Sequence, residues 1–146
     1  MNKAKIGVIG AGWWATEFHI PHLQKRDDVE LVSVCKLEQD QLDFVKNKFG
    51  FKFASTDFNK MLDFSPLDGV VIASPHFAHF ENAKSSLQKG CHVLIEKPMT
   101  TNSHDAEELF KLAKEYKKEI VVPNGFNFTH YMSKAEKYIS DGVIGE

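Results

Sequence analysis

An apolar run that leads into a glycine-rich turn is the feature of this chain that most restricts its fold. Ile6-Gly7-Val8-Ile9 is followed directly by Gly10-Ala11-Gly12-Trp13-Trp14-Ala15, and a helical pattern comes next. A strand, a glycine turn and a helix in this order place backbone N–H groups where they can hold a pyrophosphate. Gly10 permits the tight turn, Gly12 leaves room for phosphate, and Ala15 takes the third small position, where the helix packs on the strand. The alternative is a strand–helix turn that binds nothing.

Strand and helix patterns alternate along the whole chain. β-Branched and apolar runs predict strands at Lys3–Ile9, Val29–Cys35, Phe51–Phe53, Gly69–Ala73, Val93–Ile95 and Ile120–Val122. Amphipathic stretches predict helices at Trp13–Lys25 (kinked or broken at Pro21), Gln39–Phe49, Phe58–Leu62, His76–Gln88, Ser103–Lys117 and Tyr131–Ser140. Repeated strand–helix units require right-handed crossovers. The pattern therefore predicts an α/β fold, a doubly wound parallel sheet in a single domain over residues 1–146.

Charge and cysteine content argue against several functional classes. The formal net charge of −2 provides no basic field for nucleic acid. No apolar run approaches the roughly 20 residues that a membrane-spanning helix needs. Cys35 and Cys91 lie at ends of apolar runs and are expected to be small core residues rather than a disulfide. We therefore expect a cytoplasmic protein that binds neither nucleic acid nor membrane.

The residue after the second predicted strand bears on the choice of cofactor. This position usually holds an acid that binds the adenosine ribose hydroxyls, but here it is Lys36. An ammonium attracts a 2′-phosphate, which a carboxylate would repel, so Lys36 favours NADP over NAD and counts against S-adenosylmethionine. In the alternative, Lys36 is a solvated loop lysine and Glu38 turns back to the ribose, which favours NAD.

Polar residues also follow the fourth predicted strand. Ser74-Pro75 leads into a helix with histidines at His76 and His79, and the first turn of this helix would direct N–H groups and His79 toward a cofactor. A structural role is the alternative for each histidine. His19 and His22 lie three residues apart on the first helix, but no carboxylate or thiolate joins them at ligand spacing, so no metal site is predicted.

The fifth predicted strand ends in Glu96-Lys97-Pro98. A lysine at the carboxyl edge of the sheet can reach a substrate carbonyl or hydroxyl. Its ammonium would polarise the carbonyl during hydride delivery, or its amine could accept a proton in the reverse direction. Glu96 could orient this lysine. The alternative is an exposed Lys-Pro turn.

Together these motifs resemble the glucose–fructose oxidoreductase, inositol dehydrogenase and rhizopine-catabolism family. The resemblance spans the chain and depends on three strand ends, which are Gly10–Ala15, Ala73-Ser74-Pro75 with His79, and Glu96-Lys97-Pro98. It implies a Rossmann domain that binds NAD(P), with Lys97 as the catalytic lysine. It also implies that Glu96 and Pro98 shape the nicotinamide site and that Ser74, Pro75 and His79 line it.

The resemblance also sets expectations for the parent protein. It implies an oxidoreductase that acts on a sugar, a cyclitol or a similar polyol and that can associate as a homo-oligomer. The family's substrate domain, with its usual catalytic histidine, would lie beyond Glu146, so this chain alone is expected to be inactive. Asn127 stands near a position where many members have an arginine, which puts an arginine contact there in doubt. The alternative is a non-catalytic dinucleotide-binding module that senses redox state or regulates a partner.

Overall fold

The computed structural model describes residues 2–145, apart from the side chains of residues 126 and 127. The side chain of Asn127 therefore lies outside the described part. Six parallel strands form one sheet: β1 (Ala4–Ile9), β2 (Val29–Cys35), β3 (Phe53–Ser55), β4 (Gly69–Ile72), β5 (His92–Ile95) and β6 (Ile120–Val121). Their order across the sheet is β3-β2-β1-β4-β5-β6. The direction of winding reverses between β1 and β4, so this is a doubly wound Rossmann-type fold.

Helices connect the strands and cover the sheet. They are α1 (Ile20–Gln24), α2 (Gln39–Phe49), α3 (Phe58–Asp63), α4 (His79–Gln88), α5 (Ser103–Tyr116) and α6 (His130–Ser140). A π-helical turn (Ala15–His19) precedes α1, and 3₁₀ turns (His76–Ala78 and Gly125–Phe128) precede α4 and α6. Within residues 2–145, no helix combines the length and apolar character that crossing a bilayer requires.

The core consists of two apolar clusters, one on each face of the sheet. Val8 and Val71 belong to one cluster, whereas their chain neighbours Ile9 and Ile72 belong to the other. Successive residues of a strand point to opposite faces, so these strands contribute to both clusters. All four residues of β4 are buried, as expected for a central parallel strand.

Both cysteines are buried and free, as the sequence predicts. Burial, with a smaller contribution from the nearby Asp57 carboxylate, raises the pKa of the Cys35 thiol to about 11. Burial also raises the pKa of Cys91. Both side chains therefore remain neutral thiols at physiological pH and act as small core residues.

Two local predictions need correction. The strand predicted at Phe51–Phe53 forms at Phe53–Ser55, because the Phe51 N–H donates to the Lys46 carbonyl and so completes the end of α2. Gly50 closes that helix with a left-handed φ of 75°. In the first helix, the irregularity lies just before Pro21, where the Ile20 N–H bonds the carbonyl of Ala15, five residues earlier.

Candidate functional site

The glycine turn is pressed against the ends of two strands. The N–H groups of Gly10 and Ala11 both donate to the Cys35 carbonyl, at 2.9 and 3.2 Å. Gly10 has a φ of 85°, and a Cβ at this position would lie 2.3 Å from the backbone nitrogen of Ser74. Only glycine fits there, because a side chain would overlap the backbone that leaves β4.

The space next to Gly12 is open, unlike the space around Gly10. A Cβ at Gly12 would have no atom within 4 Å. The Thr16 N–H donates to the Gly12 carbonyl at 3.0 Å. The amides of residues 13–15 precede this bond at the start of the helical turns, where N–H groups lack intrahelical partners. Such a helix start, with open space beside it, fits a pyrophosphate.

Ala15 and the two tryptophans have different surroundings. Ala15 is fully buried in one of the core clusters, as expected for a small residue that brings a helix close to β1. Trp13 and Trp14 are 69% and 44% exposed and form an aromatic cluster with Phe18, with the Trp14 and Phe18 ring centroids 4.2 Å apart. The cluster leaves a large apolar surface at the carboxyl edge of the sheet.

The Glu96 carboxylate connects the end of β5 to the first helical segment. Its Oε1 accepts a hydrogen bond from Trp14 Nε1 at 2.8 Å and lies 2.7 Å from His19 Nε2. The Glu96 and His19 side chains are only 13% and 16% exposed. Burial opposes ionisation of Glu96, but the hydrogen bonds from His19 and Trp14 outweigh it and lower the pKa of the carboxyl group. Glu96 is therefore a carboxylate at neutral pH.

Lys97 is exposed beside this carboxylate. Its backbone N–H donates to Glu96 Oε2 at 3.2 Å, and a cis peptide bond joins it to Pro98. Glu96 thus fixes the backbone of Lys97, and the ammonium group of Lys97 takes no part in this hydrogen bond. The sequence predicts that Glu96 orients this lysine, and the contact in the structure runs through the main chain.

His79 lies behind the site and is fully buried. Its Nδ1 is 2.8 Å from the Pro98 carbonyl oxygen, and its Nε2 is 2.8 Å from the Ser74 carbonyl oxygen. The Ser74 hydroxyl donates to Asn82 Oδ1 at 2.7 Å. Two residues of α4 therefore fix Ser74, whereas Pro75 lies exposed in the turn before that helix.

A cavity of about 230 Å³ brings many of the predicted residues together. It lies at the carboxyl ends of β4 and β5 and is lined by Trp14, Ala73, Ser74, His76, His79, Glu96 and Lys97. Ligands of doubly wound sheets bind at this edge, next to the reversal of strand order. The glycine turn, the Ser74 segment and the Glu96–Lys97 segment thus converge on one place.

Lys36 lies apart from this cavity, after the end of β2. Its side chain is only 14% exposed, and its Nζ lies 3.0 Å from Glu38 Oε2. A hydrogen bond from Lys36 lowers the pKa of Glu38. Lys36 is thus not a solvated loop lysine. The structure places both an ammonium and a carboxylate at this strand end, one suited to a 2′-phosphate and the other to ribose hydroxyls.

A second, larger cleft of about 530 Å³ lies at the opposite edge of the sheet. Asn2, Lys3, Lys5, Glu30, Pro66 and Asp68 line it. Both acidic groups there already have partners: Asp68 accepts from the Lys5 N–H at 2.7 Å, and Glu30 pairs with Lys52, which lies outside the cleft lining. We place the functional site at the carboxyl edge, because helix N-termini and loops converge only there in a doubly wound sheet.

The contact of His19 with Glu96, which lines the cavity, could not be predicted from the sequence, where this histidine was considered only as a metal ligand. The His22 ring instead bonds the Phe18 carbonyl, 2.6 Å from it. Among the residues that the structure describes, no three His, Cys, Asp or Glu side chains are arranged to hold a metal ion. Glu96 lies 77 positions from His19. No local pattern could have revealed a pair so distant in sequence.

The fold and the glycine turn define a dinucleotide-binding Rossmann domain. Residues 4–125 match the model of a family described as "Oxidoreductase family, NAD-binding Rossmann fold". The chain belongs to this family, which confirms the resemblance to the inositol dehydrogenases and related oxidoreductases.

Named relatives agree with this assignment. The chain is 30% identical to D-glucoside 3-dehydrogenase of Escherichia coli over 99% of its own length and 41% of that protein. It is 28% identical to myo-inositol 2-dehydrogenase of Thermotoga maritima, over 97% of this chain and 42% of that one. The chain thus spans less than half the length of these relatives.

Solved structures show the same fold. A 3-ketoreductase from Actinomadura kijaniata, in complex with TDP-benzene and NADP, superposes with a TM-score of 0.89 at 28% identity and covers 99% of this chain and 46% of that one. For myo-inositol 2-dehydrogenase from Lactobacillus plantarum the TM-score is 0.87 at 26% identity, over 99% of this chain and 43% of that one.

Proposed function

We propose that this chain binds a nicotinamide dinucleotide for an oxidoreductase that acts on a sugar, a cyclitol or a similar polyol. The observation that carries the proposal is the open space beside Gly12 at the start of a helix, next to the cavity that Lys97 borders. Family membership supports the cofactor class. The dehydrogenases of glucosides and myo-inositol among the relatives support the substrate class.

In this proposal each segment of the site has one task. The amides of residues 13–15 hold the pyrophosphate, and Trp14 and Ser74 border the nicotinamide. A bound nicotinamide ring gives or accepts the hydride. Lys97 lies at the reacting oxygen, where its ammonium stabilises negative charge or its amine takes the hydroxyl proton. Glu96 keeps the Lys97 backbone in place through the 3.2 Å hydrogen bond.

Calorimetric titration of the chain with dinucleotides tests the binding proposal. We expect NAD(H) or NADP(H) to bind the wild-type chain and the affinity to fall from wild type to Gly12→Ala and further to Gly12→Val. The added side chains enter open space, so both variants should keep the wild-type unfolding midpoint. Failure of all four dinucleotides to bind the wild-type chain at millimolar concentration contradicts the proposal. Unchanged affinity in Gly12→Val would place the site elsewhere.

The preference for NADP over NAD is the finer part of the proposal. A 2′-phosphate gains a charge-assisted hydrogen bond from Lys36, worth about 1.5–3 kcal/mol when well aligned. Glu38 competes for the same ammonium at 3.0 Å. Tighter binding of NADP(H) in the wild-type chain therefore depends on how far a 2′-phosphate displaces Glu38.

Two charge variants separate these contributions. Glu38→Gln removes the competing carboxylate and should increase the ratio of NADP to NAD affinity. Lys36→Asp should reverse the preference, because a carboxylate repels the 2′-phosphate and accepts the ribose hydroxyls. The two affinities are measured by the same titration. If NADP(H) and NAD(H) bind with equal affinity both in the wild type and in Glu38→Gln, Lys36 does not contact the 2′ position.

A further inference from the structure

Glu96 and Lys97 line the same cavity, yet no ion pair within residues 2–145 joins the Glu96 carboxylate to the Lys97 ammonium. The lysines of that range that do pair with a carboxylate are Lys36, Lys52, Lys84, Lys89 and Lys137. Opposite charges attract more strongly in a partly closed site than in open water. The separation of these two groups therefore needs a cause.

The Glu96 carboxylate takes three other hydrogen bonds instead. Its Oε1 accepts from Trp14 Nε1 at 2.8 Å and from His19 Nε2 at 2.7 Å, and its Oε2 accepts from the Lys97 backbone N–H at 3.2 Å. His19 is the donor in its contact, because an ionised carboxylate has no proton to give. Both oxygens are thus engaged by groups other than the Lys97 ammonium. With Glu96 only 13% exposed, water has little access to replace these donors.

We propose that His19 is a positioning residue which, together with Trp14, holds Glu96 Oε1 and so keeps this carboxylate from pairing with the Lys97 ammonium. The ammonium then stays available to an oxygen atom of a ligand in the cavity. A lysine paired with Glu96 would first have to give up that partner. His19 itself is absent from the cavity lining and acts through Glu96. The consequence for hydride transfer rests on the role proposed for Lys97, whereas the arrangement of these side chains does not.

Two histidines of the first helical segment differ in what they bind, which provides a matched control. The His22 ring bonds the Phe18 carbonyl, 2.6 Å away, and is exposed. The His19 ring reaches across to the end of β5 and is only 16% exposed. Loss of the His19 ring should therefore release Glu96, and loss of the His22 ring should not.

Scalar coupling between a lysine Nζ and a carboxyl carbon reports their ion pair directly in a chain labelled with nitrogen-15 and carbon-13. The measurement is made at low temperature, where lysine ammonium groups are observable, and at about pH 6, above the ordinary glutamate pKa. Lys97→Arg assigns the Lys97 signal. We expect no coupling from Lys97 Nζ to the Glu96 carboxyl carbon in the wild type or in His22→Phe, and its appearance in His19→Phe.

A conservative variant separates positioning from a merely structural role. The side-chain amide of His19→Gln can donate to Glu96 in place of Nε2, so the coupling should stay absent there. Trp14→Phe keeps an aromatic ring and loses only the other donor to Oε1, so it makes the same test if His19→Phe does not fold. Coupling in the wild type overturns the proposal, and so does its absence in every folded variant that lacks a donor. No dinucleotide takes part, so the outcome is independent of the proposed function.

Discussion

Gly10 and Gly50 both have left-handed backbone angles, with φ of 85° and 75°, but their surroundings differ. A Cβ at Gly10 would overlap the backbone at Ser74, whereas a Cβ at Gly50 would meet nothing within 4 Å. Gly50→Ala should therefore lower the free energy of unfolding by about 1–2 kcal/mol, the strain of an alanine in the left-handed conformation. Gly10→Ala adds steric overlap and should cost about 2–5 kcal/mol.

Urea unfolding of the two glycine variants measures this difference as a shift of the midpoint at constant slope. Equal losses in both variants would mean that β4 moves freely away from the turn. In that case glycine would be needed at position 10 only for its left-handed φ angle.

At the scale of the element, Glu96 ties β5 to the first helical segment. Glu96→Gln should lower the free energy of unfolding by about 1–3 kcal/mol near neutral pH, because Trp14 and His19 lose a charged partner. The pKa of Glu96 is lowered in the folded chain. Its contribution is therefore present above the ordinary glutamate pKa of about 4.3 and is lost as the pH falls below that value.

Urea unfolding over a pH series tests this linkage. The gap between wild type and Glu96→Gln should stay constant above about pH 5 and narrow at lower pH. Glu107→Gln, at an exposed position of α5, is the matched control and should follow the wild-type curve. A gap that widens on acidification would contradict the assignment of Glu96 as a carboxylate that accepts these hydrogen bonds.

Helix α2 offers a second test at this scale, with two apolar residues on opposite faces. Leu42 is fully buried and Phe44 is 63% exposed. Leu42→Ala should cost about 2–5 kcal/mol through the cavity that it leaves. Phe44→Ala should change the stability by less than about 0.5 kcal/mol. Urea unfolding compares the two variants. A large loss of stability in Phe44→Ala would mean that this ring is buried in solution and would contradict the exposed position.

The sheet could be predicted from the sequence because each buried strand is a compact apolar run between turn residues. Most predicted bounds agree with the structure within one or two residues. The predicted start of the third strand at Phe51 was wrong. Phe51 is buried because it completes the end of α2, and in the sequence a buried apolar residue of this kind looks like the start of a strand. Burial alone does not distinguish a helix cap from a strand.

The site could be predicted only in part. The strand ends predicted that Ser74, Glu96 and Lys97 lie at one edge, and the three residues line one cavity, because a parallel sheet brings its carboxyl ends together. The contacts between Trp14, His19 and Glu96 could not be predicted, since they join residues 77 and 82 positions apart. Their formation depends on how the first helical segment lies on the sheet, and no local periodicity encodes that.

At the scale of the whole molecule, binding and stability are linked. A dinucleotide at a hundred times its dissociation constant should raise the free energy of unfolding of this chain by about 2.7 kcal/mol. The same concentration should leave the stability of Gly12→Val unchanged, because the valine side chain would occupy the space proposed for the phosphates. Thermal unfolding with and without dinucleotide measures both. An equal ligand-induced gain in the free energy of unfolding of the variant would contradict the proposed position of the phosphates beside Gly12.

Turnover is a separate property of the whole molecule. We expect the 146-residue chain to bind dinucleotide without oxidising a polyol, because Lys97 is exposed and rate depends on holding the substrate in place. The absorbance of reduced nicotinamide, followed with inositol or a glucoside as substrate, measures this. Robust turnover would show that these residues already contain a complete substrate site.

The chain has two tryptophans, and both lie in the glycine turn. Their fluorescence therefore comes from one place, and reduced nicotinamide absorbs in the range where tryptophan emits. Energy transfer from the pair to a bound reduced cofactor would report occupancy without any label. The indole of Trp14 also donates to the Glu96 carboxylate, so its emission should respond to loss of that charge. The intrinsic tryptophan fluorescence of this chain therefore reports directly on the glycine turn.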